Sequence, residues 1–381
     1  MLRVLDSLDD ISAEEWNSLN LQGNPFVRHE FLHALERTGC ATRATGWDAQ
    51  HMLLRDDAGR LLGAAPLYLK THSWGEFVFD FSWANAYARL GLQYYPKLIS
   101  AIPFTPATGP RLLTAPEADA SAVHTALLNG MRQLAEERHV SSIHILFAND
   151  SDRLAATAQD YLSRQDCQFH WRNREYATFE DFIATFRADK RKKLLRERRR
   201  VSEAGIRFEV HNGHMMNADD WQQAFALSAN TFAHRGHEHY LNVAFFRTIA
   251  STLPDSVVVI WAIHGDERIA VAICFRGADT LYGRYWGSAE QYHSLHFETC
   301  YLQGIEYCIA HGLQRFEPGT QGEHKIARGF EPALTYSAHW IAEPRLRAAI
   351  AEHLKQEALA VERYADSVNE HLPFHRASRQ A

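Results

Sequence analysis

The chain has 381 residues, 46% hydrophobic and 23% charged, a balance that supplies a large core and excludes disordered, collagen-like and coiled-coil classes. At roughly 100–200 residues per domain, two domains are expected. The net charge of −6 at pH 7 gives the whole molecule no attraction for a polyanion, so a nucleic-acid role would need a local basic patch.

In chain order, Ile11–Leu19 and Arg28–Arg37 carry helical apolar spacing, and the apolar runs His51–Leu54 and Leu61–Leu69 flank Asp57-Ala58-Gly59 as a hairpin. The stretch Trp83–Arg111 is aromatic and proline-rich, too interrupted for one long element and too apolar for a solvated loop. Ala118–Arg138 reads as a helix, Ser142–Phe147 as a strand and Ser151–Arg164 as another helix. In the second half, helices at Phe179–Phe186 and Lys190–Ala204 precede a strand at Arg207–Val210. Helices at Ala218–Thr231 and Val243–Thr252 follow, then two or three strands over Val257–Trp286 with a turn at Gly265-Asp266. Leu295–Ala310 is helical and closed by Gly312, Leu313–Phe316 is a short strand, and Pro344–Tyr364 is a final helix. The same order of elements in both halves predicts two mixed α/β domains of similar plan, with the boundary in Asp166–Arg174. No repeat of 20–50 residues is visible, which sets aside solenoids and propellers.

The longest apolar run, Val257–Ile263, is about a third of the ~20 residues that span a bilayer. The acidic start MLRVLDSLDDISAEEW lacks the basic-then-apolar pattern of a secretory leader, and a cytoplasmic location is expected. Five scattered cysteines without C-x-x-C read as reduced thiols. His234, His237 and His239, with His211 and His214, lack the H-E-x-x-H spacing that sets two ligands on one helix face, so no metal is expected. Nucleophile-elbow and P-loop motifs are absent from the sequence.

Three stretches carry chemistry. In RFEPGTQGEHKIARGFEP, Glu317, Gln321, Glu323, His324, Lys325 and Arg328 crowd around Gly319, Gly322 and Gly329 just after a short strand, where open α/β sheets place ligands. A His and a Glu there could supply a base, and Lys325 with Arg328 could hold an anionic group; the plainer reading is a charged loop whose residues pair with one another. Glu298 lies on the apolar stripe of Leu295, Leu302, Ile305 and Ile309, so a carboxylate is carried toward the core, either for proton transfer or for a salt bridge to a residue such as Arg284 or Lys325. Arg187–Arg200 has nine basic and two acidic residues. The helix, with Lys190, Arg191, Lys192 and Lys193, suits phosphates of RNA, a nucleotide or a lipid headgroup, or else is a solvated face. It contains no aromatic residue for base stacking.

The combination of NPFVRHEFLHALERTG, LLGAAPLYLK, DKRKKLLRERRRVSEAGI, LHFETCYLQGIEY and FEPGTQGEHKIARGF resembles the N-acyltransferase family named for peptidoglycan biosynthesis or recognition, allied to Fem-type aminoacyl-tRNA-dependent transferases and to the GNAT superfamily. The resemblance implies an α/β fold of two tandem GNAT-like domains packed side by side, 1–170 and 171–381, the second holding the basic helix 187–204 and the C-terminal helix. It implies a basic region that assists in holding tRNA or a nucleotide-linked precursor, where Lys190–Lys193 fall, although the coiled-coil arm of some Fem enzymes is missing. It also implies a pyrophosphate-binding turn of the [QR]-x-x-G-x-[GA] type, which Arg284-Tyr285-Trp286-Gly287-Ser288-Ala289 matches.

The expected activity is transfer of an acyl or aminoacyl group from acyl-CoA or aminoacyl-tRNA, neither tightly bound, to an amine. Glu298, Glu323 or His324 would be the base, Tyr285 would donate a proton to the leaving group, and Lys325, Arg328, Gln321, Glu317, Trp286 and Arg284 would bind substrate. The alternative is a non-catalytic module that binds RNA or a cell-wall precursor through the basic helix.

Overall fold

The computed structural model describes residues 1–290, 292–320 and 322–375. The chain divides into two compact units, the first Met1–Asp166 with Leu334–Arg363, the second Cys167–Ala333 with Tyr364–Ala381. In chain order the strands are β1 (Leu2–Leu5), β2 (Trp47–Ala49), β3 (His51–Arg55), β4 (Leu61–Ala65), β5 (Tyr68–Lys70), β6 (Lys97–Ser100), β7 (Leu113–Thr114), β8 (Ser142–Ala148), β9 (Leu162–Arg172), β10 (Ile206–Asn212), β11 (Val257–His264), β12 (Glu267–Arg276), β13 (Thr280–Ser288), β14 (Arg315–Glu317) and β15 (Glu331–Ile341). Among the described residues no helix is long and apolar enough to cross a membrane.

In the first unit, β1-β3-β4-β7 form one sheet and β15-β8-β6-β5-β2 lie in order in another. The predicted hairpin is β3–β4, in register at Leu53↔Ala64, its turn closed by Gly59 at φ +83°, a conformation open to glycine at no steric cost. Helices α1 (Ala13–Asn17), α2 (His29–Arg37), α3 (Phe81–Arg89), α4 (Ala120–Glu137) and α5 (Asp150–Ala158) surround these sheets. Asp119 caps α4 through the amides of Ser121 and Ala122, and Val123, Leu127, Leu128, Met131 and Leu134 turn its apolar face into the core with Leu98, Ile143 and Ile145.

In the second unit the order is β10-β11-β12-β13-β14-β9, with α6 (Phe179–Ala184), α7 (Ala188–Glu203), α8 (Ala218–Ala233) and α9 (Val243–Thr252) around it. Val257–Ile263 is buried at every position, which explains its unbroken apolar run: β11 is paired on both sides by β10 and β12 and covered on both faces. After β13 a helix starts at Leu295–Phe297, widens into a π-turn at Glu298–Leu302 and continues as Gln303–Ala310.

One plan recurs. In the first unit β6 pairs parallel with β8 across the crossover helix α4, at Ile99↔His144. In the second, β13 pairs parallel with β14 across the Leu295–Ala310 helix, at Leu281↔Phe316. A parallel neighbour requires such a crossover.

The structure corrects several expectations. Strand β1 precedes the opening helices. The helix expected over Ser151–Arg164 ends at Ala158, because Asp160 turns to φ +61°, and β9 begins at Leu162. Trp83–Arg111 holds most of α3 and all of β6. Strand β15 escaped the sequence reading, since its buried Thr335, Ser337 and His339 break the apolar alternation that marks a strand. The expected split at 170/171 also differs from the observed units: the chain changes unit within β9, within β15 and within the C-terminal helix Pro344–Glu370, most of which belongs to the first unit.

Candidate active site

Each parallel pair parts beyond a few residues, and the parting is where a ligand can enter. In the first unit the opening is plugged. The fully buried Arg111 donates to the carbonyls of Ala107 (2.7 Å), Pro110 (3.0 Å) and Leu146 (3.0 Å), and Gly109 bridges to Ala148. In the second unit β13 and β14 pair only as far as Tyr282↔Glu317, after which β13 runs on to Ser288 paired with β12 alone. Beside the end of β13 lies a cleft of about 420 Å³, lined by Trp286, Ser288, Glu290, Leu295 and His296 with His234 and Arg235 from the end of α8. The Leu295–Ala310 helix begins at this cleft, and its N-cap residue Ser294, at φ +65°, makes no side-chain cap. The dipole and first-turn amides there favour an anionic group.

His296 joins the cleft to a compact aromatic and basic cluster. Its ring centroid lies 5.1 Å from Trp286, 5.3 Å from Tyr301 and 6.0 Å from His324. Tyr301 stands on the π-turn, a distortion frequent at functional sites, and its hydroxyl is 2.8 Å from Nε2 of His324. Burial, followed by the nearby His324, Arg328, Lys325 and Arg235, pushes the His296 imidazole down to about 4. His324 is lowered by burial and then by Lys325 and Arg328. His296 is therefore neutral at pH 7, with an unprotonated ring nitrogen.

The loop after β14 is locked in place. Lys325 is buried, donates from Nζ to the Gly319 carbonyl at 2.6 Å, and is pushed by burial down to about 7. Arg328 lies 3.6 Å over the Phe297 ring and donates to the His324 carbonyl and to Glu197 of α7. Gly322 has φ +118°, and a Cβ there would fall 2.2 Å from the His324 ring. Only glycine lets that ring lie where Tyr301 meets it.

Of the sequence candidates, His324, Lys325, Arg328 and Trp286 belong to this cluster. Glu298 is buried but ion-pairs with Arg198 of α7 at 3.4 Å and accepts from Gln303, so the partner is Arg198, in place of the anticipated Arg284 or Lys325. Glu323 is exposed and accepts from Tyr364. Tyr285 points to the α8–α9 side, packed with Phe232, His239 and Phe246, while its neighbour Trp286 meets His296, as alternation along a strand requires. Glu317 is buried at the end of β14, and Arg284 lies within β13. Gln321 lies outside the described residues. Lys190–Lys193 occupy the outward part of α7, with Arg191, Lys192 and Lys193 exposed.

Arg284–Ser288 do not form the pyrophosphate-binding turn expected of them. They are strand residues, Gly287 pairs with Val271, and a Cβ on Gly287 would lie 1.8 Å from the Leu227 carbonyl oxygen. That glycine exists to let α8 lie on the sheet. His296 and Tyr301 were missed by the sequence reading, although both stand in LHFETCYLQG beside Glu298. Their signal was the run of polar and aromatic residues on the helix flank next to the apolar stripe. Among the described residues no group of three His, Cys, Asp or Glu is placed to hold a metal ion.

The family model for FemAB-like proteins, described as peptidoglycan biosynthesis/recognition, matches residues 7–376. The chain belongs to the FemAB-like family. Its membership places it among transferases of the acyltransferase class. The fold is that of FemX (11% identity, 90% of this chain and 98% of that one, TM-score 0.54). It is equally similar to the C-terminal domain of a candidate lysylphosphatidylglycerol synthetase from Agrobacterium fabrum (10% identity, 86% and 96% covered, TM-score 0.52) and to L-PGS from Bacillus licheniformis (8%, 90% and 98%, TM-score 0.51). No curated protein matches the chain. The crossover plan recurs in both units.

Proposed function

We propose that this FemAB-like protein moves an acyl or aminoacyl group from an activated carrier, acyl-CoA or aminoacyl-tRNA, to an amine, with the chemistry in the Trp286–His296 cleft. The observation that carries the reading is the neutral His296 imidazole opening onto the cleft beside the end of β13. The amine nitrogen attacks the thioester or ester carbonyl carbon, its proton passes to His296, and the bond to the carrier sulfur or oxygen breaks as that atom is protonated. Tyr301 and His324 hold each other beside His296 as positioning residues, in place of the proton-transfer roles anticipated for Glu298, Glu323, His324 and Tyr285. Arg235 and the helix start at Ser294 supply positive potential for the phosphates of the carrier, against the carboxylate of Glu290 on the same cleft. Such carriers are cytoplasmic, and we place the reaction there.

Calorimetric titration with acetyl-CoA, longer acyl-CoAs and aminoacyl-tRNA tests this directly. One donor class binds the wild-type chain, and His296→Ala retains that binding while losing transfer; a donor that binds neither protein removes the proposal. A second reading rests on α7, whose Arg191, Lys192, Lys193, Arg196 and Arg199 are exposed: a module that holds RNA or a nucleotide-linked precursor. In that case replacing Lys190, Arg191, Lys192 and Lys193 by Ala abolishes RNA binding and flattens its salt dependence, and His296→Ala has no effect on binding or biological function.

A further inference from the structure

We propose that the second unit holds a second small-molecule site, at the far end of the Leu295–Ala310 helix, for a flat apolar ligand bearing N–H donors, an aromatic amine or aminoheterocycle. A groove of about 360 Å³ lies there, a size ordinary for small-molecule sites. It shares no lining residue with the Trp286–His296 cleft, which opens at the start of the same helix.

One wall is a whole helix face. Gln303, Glu306, Tyr307, Ala310 and His311 line the groove at the i, i+3, i+4, i+7, i+8 spacing that sets side chains in one stripe, about 12 Å long. The opposite face is the one that packs, through Leu302, Ile305 and Cys308 in the core, while Ala310 and His311 stay exposed. The facing wall is apolar: Val258 is buried at its floor, and Val210 and Met215 are 39% and 55% exposed. The Tyr307 and His311 rings stack at 4.0 Å and 25°, which gives the groove a flat aromatic side.

The polar groups on these walls are chiefly acceptors. Gln303 spends its amide nitrogen on two carboxylates, Glu298 at 2.8 Å and Glu306 at 3.1 Å, which leaves its Oε1 to accept. Nε2 of His211 lies 3.4 Å from Glu209 and so carries the ring hydrogen; Nδ1, buried and without a partner among the described residues, is a third acceptor beside the Glu306 carboxylate. Glu306 meets Arg198 at 2.6 Å, but that guanidinium is shared with Glu298, two carboxylates to one cation. Of the other cations nearby, Arg276 is directed at the Tyr307 hydroxyl, Arg207 pairs with Glu209 at 3.6 Å, and the exposed basic residues of α7 do not line the groove. An anionic ligand would meet the Glu306 carboxylate unpaired. A ligand with N–H donors finds Gln303, Glu306 and His211 as acceptors, and a flat body covers Tyr307, Met215 and Val210.

The test uses the full-length chain and calorimetric titration with two probes: 2-aminobenzimidazole, flat and rich in N–H donors, and naphthalene-2-carboxylate, equally flat but anionic and without N–H. The amine binds the wild type, and the carboxylate binds about tenfold more weakly or not at all. Tyr307→Ala lowers affinity for the amine by about tenfold, and Glu306→Gln narrows its advantage over the carboxylate. Ala310→Trp fills the groove from an exposed helix position, keeps the wild-type thermal melt and abolishes binding, so it decides the matter where the other variants fail to fold. Absence of amine binding by the wild type overturns the proposal. So does equal affinity for the carboxylate, and so does amine binding that survives Ala310→Trp or is abolished by Trp286→Ala, which would put the amine in the other cleft.

Discussion

Arg198 on the basic helix α7 places Nε 3.4 Å from the buried carboxylate of Glu298 and donates from Nη2 to Glu306 at 2.6 Å. One residue earlier, Glu197 accepts from Arg328 at 2.7 Å. The inner edge of a helix that reads as a cationic surface is therefore a two-point clamp of opposite charges, on the start of the crossover helix and on the loop after β14. Burial raises the Glu298 carboxyl, and Arg198 opposes that rise while tying α7 to the crossover helix.

Breaking the tie from the cationic side leaves a buried carboxylate without its partner. Arg198→Met is expected to cost about 3–5 kcal/mol, whereas Glu298→Gln, which removes the charge itself, costs less. Urea unfolding of both variants measures this. Glu298→Gln should also keep transfer activity within a few-fold of wild type, and a loss as deep as that of His296→Ala would restore Glu298 as the base.

For His296 the expectation is a loss of about 10² or more in kcat/KM on substitution by Ala, the usual weight of a general base. Tyr301→Phe and His324→Ala, which act through position, should each cost about tenfold. Because the ring is pushed down to about 4, its basic form is lost only as pH falls toward that value. The acid limb of the wild-type pH–rate profile should then lie well below 6.5, and a limb near 6.5 would point to another base.

Lys325 gives a stability prediction with a definite sign. Its folded value, about 7, lies below the ordinary 10.5, so between about 7 and 10.5 the unfolded chain binds more protons and stability rises with pH. Lys70, likewise pushed down by burial to about 7, adds a slope of the same sign from the first unit. Melting temperatures across this window should rise less steeply in Lys325→Met than in the wild type, and less again in the double variant with Lys70→Met.

Gly287 separates two roles for the strand that carries Trp286. A Cβ there would lie 1.8 Å from the Leu227 carbonyl, so Gly287→Ala should destabilise by about 1–3 kcal/mol as an overpacked site. Gly312→Ala, which meets nothing within 4 Å but keeps φ +66°, should cost about 1 kcal/mol from backbone strain alone. A Gly287→Ala protein of normal stability that has lost donor binding would return this segment to the carrier's phosphates.

The basic helix and the glycine-rich loop were legible because their signals are local. Charge density in Arg187–Arg200, helical spacing in Ala218–Thr231 and the Asp57-Ala58-Gly59 turn each depend on residues within one turn or hairpin. The buried run of β11 was readable for the same reason. The sequence by itself also identified the stretch after β14 and its His324, Lys325 and Arg328, since unlike charges between glycines mark a built loop.

What it could not determine was which side chains face one another across elements. Whether Glu298 meets Arg198, Arg284 or Lys325 depends on how α7 lies on the crossover helix, and Arg198 stands 100 positions before Glu298. Likewise Tyr285 and Trp286 are neighbours in sequence yet point to opposite faces of β13, so only the sheet could assign Trp286 to the His296 cluster and Tyr285 to the α8–α9 side. The inward turn of Glu76 and Asp80 required Lys97 at their centre, because a buried charge is tolerable only with its partner in place. Tertiary structure alone supplies that partner.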